Sequence, residues 1–197
     1  MKYISFLLIS LFLFSCGPSS KQKELDQIIQ KKLDSALSSV ETVTQSEKTI
    51  VGKEDFVSIL KGINISNINQ FIHPKNGLRL IQSSGAMPNM TNTSAVDKNF
   101  PVDFSAVKEE EVPKVNCDSK TFWTKDGCFS QQSNIFKDEK IWTYCGLSKE
   151  DEAKVEETAK TISYTVINTA MNARYYFSLI DGKWYLTFVD LRRPCEA

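Results

Sequence analysis

The sequence predicts one α+β domain on an N-terminal helical stem, with an antiparallel sheet that ends in a long C-terminal hairpin. Three observations lead to this fold class. Apolar residues recur at three- and four-residue steps from Leu25 to Val40, and Ser148 precedes an acidic segment that can form a helix. Asp181-Gly182 separates two apolar runs near the C-terminus, which indicates two strands joined by a tight turn.

Residues 1–15 have the pattern of a removable signal peptide. Lys2 supplies a positive charge, and the run from Ile4 to Phe14 that follows is apolar except for two serines. A helix needs about 20 residues to cross a bilayer. This 11-residue run is therefore too short to be a transmembrane span.

The segment Leu13-Phe14-Ser15-Cys16-Gly17 resembles the lipobox of bacterial lipoproteins. The resemblance implies cleavage before Cys16, diacylglycerol on its sulfur and a fatty acyl group on the new amine. Two or three acyl chains anchor a protein stably to a membrane, where one chain does not. The alternative is an ordinary secretory signal with a chance cysteine. Because Gly17 is not the aspartate of the inner-membrane retention signal, we expect the periplasmic face of the outer membrane.

Length and charge narrow the class of partner. A chain of 197 residues allows one ordinary domain plus a tether. Its 24 basic and 24 acidic residues balance, so nucleic acid is not an expected partner. Besides the membrane, we expect an envelope protein or a small ligand.

Besides Cys16 the chain has four cysteines, and an even number in an exported protein predicts disulfides. We expect Cys117 to pair with Cys128 and Cys145 to pair with Cys195, although four cysteines allow three pairings. The rival interpretation, a four-cysteine zinc site, lacks the Cys-x-x-Cys spacing typical of structural zinc. We expect no metal and no cofactor.

Residues 16–50 are predicted to form a lipidated tether and a helical stem, and residues 51–197 the domain. Gly17 to Lys23 is small and polar, which suits a tether. The apolar stripe from Leu25 to Val40 follows. It can pack on the domain, pair with another helix or lie on the membrane.

The first half of the domain predicts helices, a turn and a strand. A helix is expected over Lys53–Leu60, and a further helical turn or two from Ser66, as its cap, to Phe71. Pro74 to Gly77 predicts a tight turn before a strand over Leu78–Gln82. Residues 83–115, rich in Ser, Asn, Thr and Pro, predict a long irregular loop.

The second half predicts strands around one helix. Lys125-Asp126-Gly127 indicates a turn, and Ile135 to Tyr144 has strand character. Ser148 is expected to cap a helix through about Lys160, because acidic residues in its first turn complement the helix dipole. The β-branched run Ile162 to Thr169 predicts a strand.

The C-terminal hairpin has a predicted register. A two-residue type I′ turn at Asp181-Gly182 places Ile180 opposite Lys183 and Tyr175 opposite Phe188. One face then carries a large apolar set that must be covered: Tyr175, Phe177, Leu179, Trp184, Leu186 and Phe188. The other face is mixed and is expected to be solvated or to line a shallow groove. A helix, strands and a terminal hairpin in this order also suit a cone-shaped NTF2-like sheet.

The candidate ligand residues are His73, Arg79, Trp123 and Trp142. His73 is the only histidine, and it lies just before a turn, where its ring can accept a backbone hydrogen bond and hold the turn. A catalytic base is the alternative role. The aromatic rings can stack on sugar rings, although such residues more often belong to the core.

Two segments resemble those of uncharacterised bacterial lipoproteins. These are Ile72-His73-Pro74-Lys75-Asn76-Gly77 and Gly182-Lys183-Trp184-Tyr185-Leu186. The resemblance implies no activity. We therefore expect a non-enzymatic envelope lipoprotein that binds a partner protein or a small ligand. The alternatives are an envelope hydrolase with His73 as base and a spacer that dimerises through the stripe from Leu25 to Val40.

Overall fold

A computed structural model of the chain describes residues 53–195, apart from positions 84 and 86. The predicted signal peptide, Cys16 and the predicted stem lie outside the described residues. The described residues therefore belong to the predicted domain.

One seven-stranded sheet organises the domain, in the order β2-β1-β7-β6-β5-β4-β3. The strands are β1 (Leu78–Ser83), β2 (Pro88–Thr93), β3 (Lys108–Glu109), β4 (Cys128–Gln131), β5 (Ile162–Asn168), β6 (Ala173–Ile180) and β7 (Lys183–Asp190). The sheet is mixed, since β1 runs parallel to β7 and β3 parallel to β4. The α+β class is confirmed, and the predicted antiparallel pairing holds for four of the six strand pairs. A short turn dictates the antiparallel pairing of β6 with β7, whereas β1 reaches β7 through contacts that are distant in sequence.

Two helical segments precede β1, and three lie between β4 and β5. They are α1 (Lys53–Gly62), α2 (Ile135–Glu139) and α3 (Lys149–Lys160), with 3-10 helices at Ile68–Phe71 and Ile141–Tyr144. The helix after Ser148 is confirmed, and the Ser148 side chain accepts a hydrogen bond from the Asp151 backbone N–H at 3.1 Å. Ser66 is not a cap, because Asn67 precedes the 3-10 helix and no side chain caps it.

The predicted strand from Ile135 to Tyr144 is wrong. The Asn134 side chain accepts a hydrogen bond from the Lys137 backbone N–H at 3.1 Å and so starts α2. Lys140, in the left-handed conformation with φ 49°, ends α2 and begins the second 3-10 helix. Two local features therefore override the strand propensity of this segment.

The predicted irregular loop over residues 83–115 is partly wrong. It contains β2, which pairs with β1 over the full length of both strands, and the short β3. The remainder is irregular but not loose, since Phe104 is fully buried and Val107 is 4% exposed. Both residues belong to the hydrophobic core under the sheet.

The C-terminal hairpin begins with the predicted turn. Asp181 and Gly182 have φ values of 50° and 75°, and Ile180 opposes Lys183. Beyond Phe177 and Leu186 the register shifts at a β-bulge.

The bulge changes the last pairs of the hairpin. Tyr176 opposes Phe188 and Tyr175 opposes Val189, so the predicted pairing of Tyr175 with Phe188 is wrong. The bulge also moves Phe188 to the other face of the sheet.

Both faces of the sheet are covered as a result. We call the face with Tyr164, Tyr175 and Phe177 the first face, and α1 covers it with Phe56, whose ring centroid lies 4.1 Å from that of Tyr164. The opposite, second face carries Phe188, which stacks on Phe136 of α2 at 4.3 Å. Of the two alternatives predicted for the second face, solvation is therefore wrong.

The expected disulfide pairing is also wrong. Cys117 is bonded to Cys195, with 5.7 Å between their Cα atoms, and the thiols of Cys128 and Cys145 are free and buried. Cys128 lies in the core of the first face and Cys145 in that of the second. The sheet thus lies between these two thiols.

Candidate functional site

A cavity of about 350 Å³ lies on the second face of the sheet. It is enclosed by β4, β5 and β6, by the start of α2 and by residues 111–115. Arg174 lies in its wall, and we call it the Arg174 cavity. Apolar side chains form much of the wall: Val112, Pro113, Val115, Trp123, Ile135 and Ile167.

The strand register explains the polar part of the wall. Thr165 of β5 opposes Tyr176 of β6, and in the neighbouring row Ile167 opposes Arg174. Arg174 in turn opposes Asp190 of β7, at the far side of the bulge. Side chains two residues apart share one face of a sheet, so Arg174 and Tyr176 lie side by side.

Arg174 is held by a buried carboxylate. Asp190 is fully buried, and its Oδ2 accepts a hydrogen bond from Arg174 Nη1 at 2.6 Å. Arg192 binds the same carboxylate through Nε at 2.8 Å and Nη2 at 2.9 Å, and these bonds raise the pKa of Arg192. Two guanidinium groups thus share one carboxylate, which leaves the cluster with one net positive charge. The Arg174 guanidinium also lies over the Trp123 ring, 5.2 Å from its centroid.

Tyr176 contributes a hydroxyl without a partner. Its side chain is fully buried, and its Oη makes no hydrogen bond with any described residue. Burial raises the pKa of Tyr176, so the hydroxyl stays protonated. Three other buried polar atoms of the described chain lack a partner, in Ser130, Tyr164 and Trp184, but none of these residues lines the Arg174 cavity. Burying a hydroxyl unpaired costs about 1 to 3 kcal/mol.

Acidic and basic residues surround the cavity mouth. Glu139 is exposed as a residue, yet desolvation of its carboxyl raises its pKa, with Arg174 and Arg192 acting in the opposite direction and Asp190 and Asp138 adding to the rise. Glu111 and Lys114 also line the mouth and form an exposed ion pair of 3.9 Å. Such an exposed pair stabilises a fold little.

His73 holds its turn, as one of its two predicted roles required. Its Nδ1 accepts hydrogen bonds from the backbone N–H groups of Lys75 at 3.2 Å and Asn76 at 3.1 Å. Its ring packs edge-on against Tyr185, with 4.7 Å between centroids. His73 does not line the Arg174 cavity.

The other candidate ligand residues do not come together either. Arg79 lies near α3, where Nη1 donates to Thr158 Oγ1 at 3.4 Å. Trp142 is 3% exposed and packs against Phe136 in the core. Of the four candidates only Trp123 lines the Arg174 cavity.

Sequence reasoning missed Arg174, Tyr176 and Asp190. A signal was present, since Arg174 is the one charged residue of β6 and Asp190 ends β7. Without a bulge, however, the hairpin turn would oppose Arg174 to Val189, which gives no reason for a buried ion pair. The register shift supplies that reason.

The described residues include neither a metal-binding group nor a membrane-spanning helix. No group of three or more His, Cys, Asp or Glu side chains there is placed to hold a metal ion. None of the helices between residues 53 and 195 has the length and apolar character that crossing a membrane requires.

Comparison with known proteins identifies no relative. No family model matches the chain, and neither a curated protein nor a solved structure matches it.

Proposed function

We propose that this chain is a lipid-anchored lipoprotein of the bacterial envelope whose domain binds a small ligand in the Arg174 cavity, without catalysis. The anchor is supported by the signal-peptide pattern and the lipobox ending in Cys16. The binding role is supported by the geometry of the cavity.

One observation carries the binding role. Tyr176 lines a cavity large enough for a ligand, and its hydroxyl is buried without a partner among the described residues. Phenylalanine would fill the same space without the cost of desolvating that hydroxyl. A bound ligand would supply the hydrogen-bond partner that the hydroxyl lacks, which the packing around it does not.

The contacts of His73 favour binding over hydrolysis. Its Nδ1 is engaged by two backbone N–H groups, so this nitrogen cannot also accept a proton from a nucleophile while the turn keeps its hydrogen bonds. The Arg174 cavity lies elsewhere and contains no histidine.

The anchored arrangement follows from the order of segments along the chain. Lipid on Cys16 would hold the protein at the periplasmic face of the outer membrane, and residues 16–50 would form the stem between lipid and domain. The order of a helix, strands and a terminal hairpin supports an NTF2-like architecture for the domain.

The anchor is tested by feeding cells labelled palmitate and comparing the full chain with its Cys16→Ala variant. Wild-type protein should take up label and sediment with membranes after carbonate washing, and Cys16→Ala should do neither. Equal labelling of both proteins would contradict lipidation at Cys16.

The binding role is tested without knowledge of the ligand. Mature lipoprotein in detergent micelles, with labelled Ile and Val methyl groups, is screened by NMR against fragments that are anionic, neutral or cationic. We expect fragments that shift the methyl signals of Val112, Ile135 and Ile167 and leave Ile63, in the core of the first face, unshifted. If no fragment of any charge shifts the three cavity methyls, the cavity is not a binding site.

A further inference from the structure

We propose that the ligand of the Arg174 cavity is a small apolar carboxylate, held by Arg174 and the Tyr176 hydroxyl. This inference rests on the proposed function, because it names the chemical class of the ligand for that site.

The cluster of Arg174, Arg192 and Asp190 favours an anion. The two guanidinium groups share the single carboxylate of Asp190, so these three side chains together carry one net positive charge. Asp190 accepts a hydrogen bond from Nη1 of Arg174. A guanidinium has five N–H groups, so Arg174 has capacity for a second acceptor. A ligand carboxylate would neutralise the cluster, whereas a ligand cation would add to its charge.

The hydrogen-bonding groups of the wall also favour an acceptor. Thr165 Oγ1 donates to the backbone oxygen of Ser133 at 3.0 Å, and Gln131 Oε1 accepts from the Val112 backbone N–H at 3.0 Å. These two polar side chains therefore already serve the fold. Tyr176, whose hydroxyl can donate and has no partner among the described residues, lies two residues from Arg174 on the same face of β6. Two neighbouring donors suit the two oxygens of one carboxylate.

Size and apolarity set the rest of the ligand. The cavity is also lined by Val112, Ile135 and Ile167, and Trp123 lies beside Arg174. A cavity of about 150 Å³ accepts benzene, so about 350 Å³ leaves room for an apolar body of about two fused rings. Ligand sites typically combine such apolar walls with a few convergent polar groups.

The carboxyl of Glu139 lines the same cavity and interacts with Arg174, so its ionised form competes with a ligand carboxylate. Desolvation raises the pKa of Glu139, and protonation of this carboxyl should therefore favour binding of the ligand.

Three probes of one shape test the charge class. Mature lipoprotein in micelles is titrated with 2-naphthoate, 2-naphthamide and 2-naphthylmethylammonium while the methyl signals of Val112, Ile135 and Ile167 are followed. We expect 2-naphthoate to bind at least about tenfold more tightly than the amide, because a hydrogen bond to a charged group is about twice as strong as a neutral one. The ammonium probe should bind most weakly.

A tyrosine variant and its matched control test the site. Tyr176→Phe should weaken 2-naphthoate binding about tenfold, the effect of one hydrogen bond to a charged group. Tyr164→Phe removes an equally unpartnered hydroxyl from the first face and should leave the affinity unchanged. Equal affinity of Tyr176→Phe and wild type would overturn the assignment of this hydroxyl.

The outcomes separate the two proposals. If the amide or the ammonium probe binds as tightly as 2-naphthoate, or only other fragments shift the cavity methyls, the carboxylate class is wrong and the binding role stands. If no fragment and no probe shifts them, both proposals fail.

Discussion

Three tyrosines with buried rings allow the hydroxyl groups to be compared within one fold. Tyr175 Oη donates to the backbone oxygen of Pro101 at 2.5 Å, whereas Tyr164 Oη and Tyr176 Oη have no partner among the described residues. All three rings are nearly or fully buried. Replacing each in turn by phenylalanine removes one oxygen and keeps the ring.

The structure sets the sign and size of each effect. Tyr175→Phe loses a hydrogen bond and leaves the Pro101 carbonyl unpaired, so the free energy of unfolding should fall by about 1 to 2 kcal/mol. Tyr176→Phe and Tyr164→Phe remove a hydroxyl that is desolvated without compensation, so each should raise the free energy of unfolding by about 1 kcal/mol, the lower end of the cost of burying an unpaired hydroxyl. The Tyr175 and Tyr176 variants should thus differ by about 2 to 3 kcal/mol.

Thermal unfolding of the purified protein, followed by near-UV circular dichroism, measures the difference. For a domain of this size 1 kcal/mol shifts Tm by about 2 to 4 °C, so Tyr176→Phe should unfold several degrees above Tyr175→Phe. If Tyr176→Phe lowers Tm as much as Tyr175→Phe, the Tyr176 hydroxyl has a partner. A ligand would then not be needed to satisfy this hydroxyl.

Four further predictions follow from the described contacts. Replacing Cys117 and Cys195 by serine opens a loop of 78-residue separation and should cost about 4 kcal/mol of stability; a Cys117-Cys128 peptide in a non-reducing map would contradict the pairing. Burial raises the pKa of Cys128 from 9.0 to about 12, so the unfolded thiol ionises first and stability falls as pH rises above 9.0. At pH 10 wild type should have lost about 1.4 kcal/mol more than Cys128→Ala, and parallel pH profiles of urea unfolding would refute this. Affinity for 2-naphthoate should weaken as pH rises through the raised pKa of Glu139, because the ionised carboxylate repels the ligand. Glu139→Gln should abolish that pH dependence in the same titration. An unaltered pH profile in this variant would exclude Glu139 as its source. His73→Ala should lower stability by about 1 kcal/mol, and His73→Asn by less, because an asparagine oxygen can accept the same backbone N–H groups; equal losses in thermal unfolding would show that the ring packing matters instead.

The hairpin shows how far local sequence reaches. Asp181-Gly182 dictates a type I′ turn, so the pairs from Ile180-Lys183 to Phe177-Leu186 are predictable from the residues alone. The bulge beyond them has no comparable local signal. It arises where Phe188 can pack on Phe136 and Asp190 can meet Arg174, and those partners come from other parts of the fold.

The candidate site was unpredictable for the same reason. Residues 111–115 and the start of α2 are distant in sequence from β6, and only folding brings them over Arg174 and Tyr176. Among the residues that line the cavity, only Trp123 was predicted as a ligand residue, because its aromatic ring marks it in the sequence. Arg174 and Asp190 are informative only as a pair, and the pair requires the shifted register.

The sequence by itself determined the features that depend on near neighbours. These are the helix capped by Ser148, the turn beside His73 and the turn at Asp181-Gly182, because capping and turn geometry involve only a few adjacent residues. Tertiary structure alone decided the parallel strands, the Cys117-Cys195 disulfide and the Arg174 cavity. Each of these joins segments far apart in the chain, and the choice among such pairings depends on which faces the whole sheet buries.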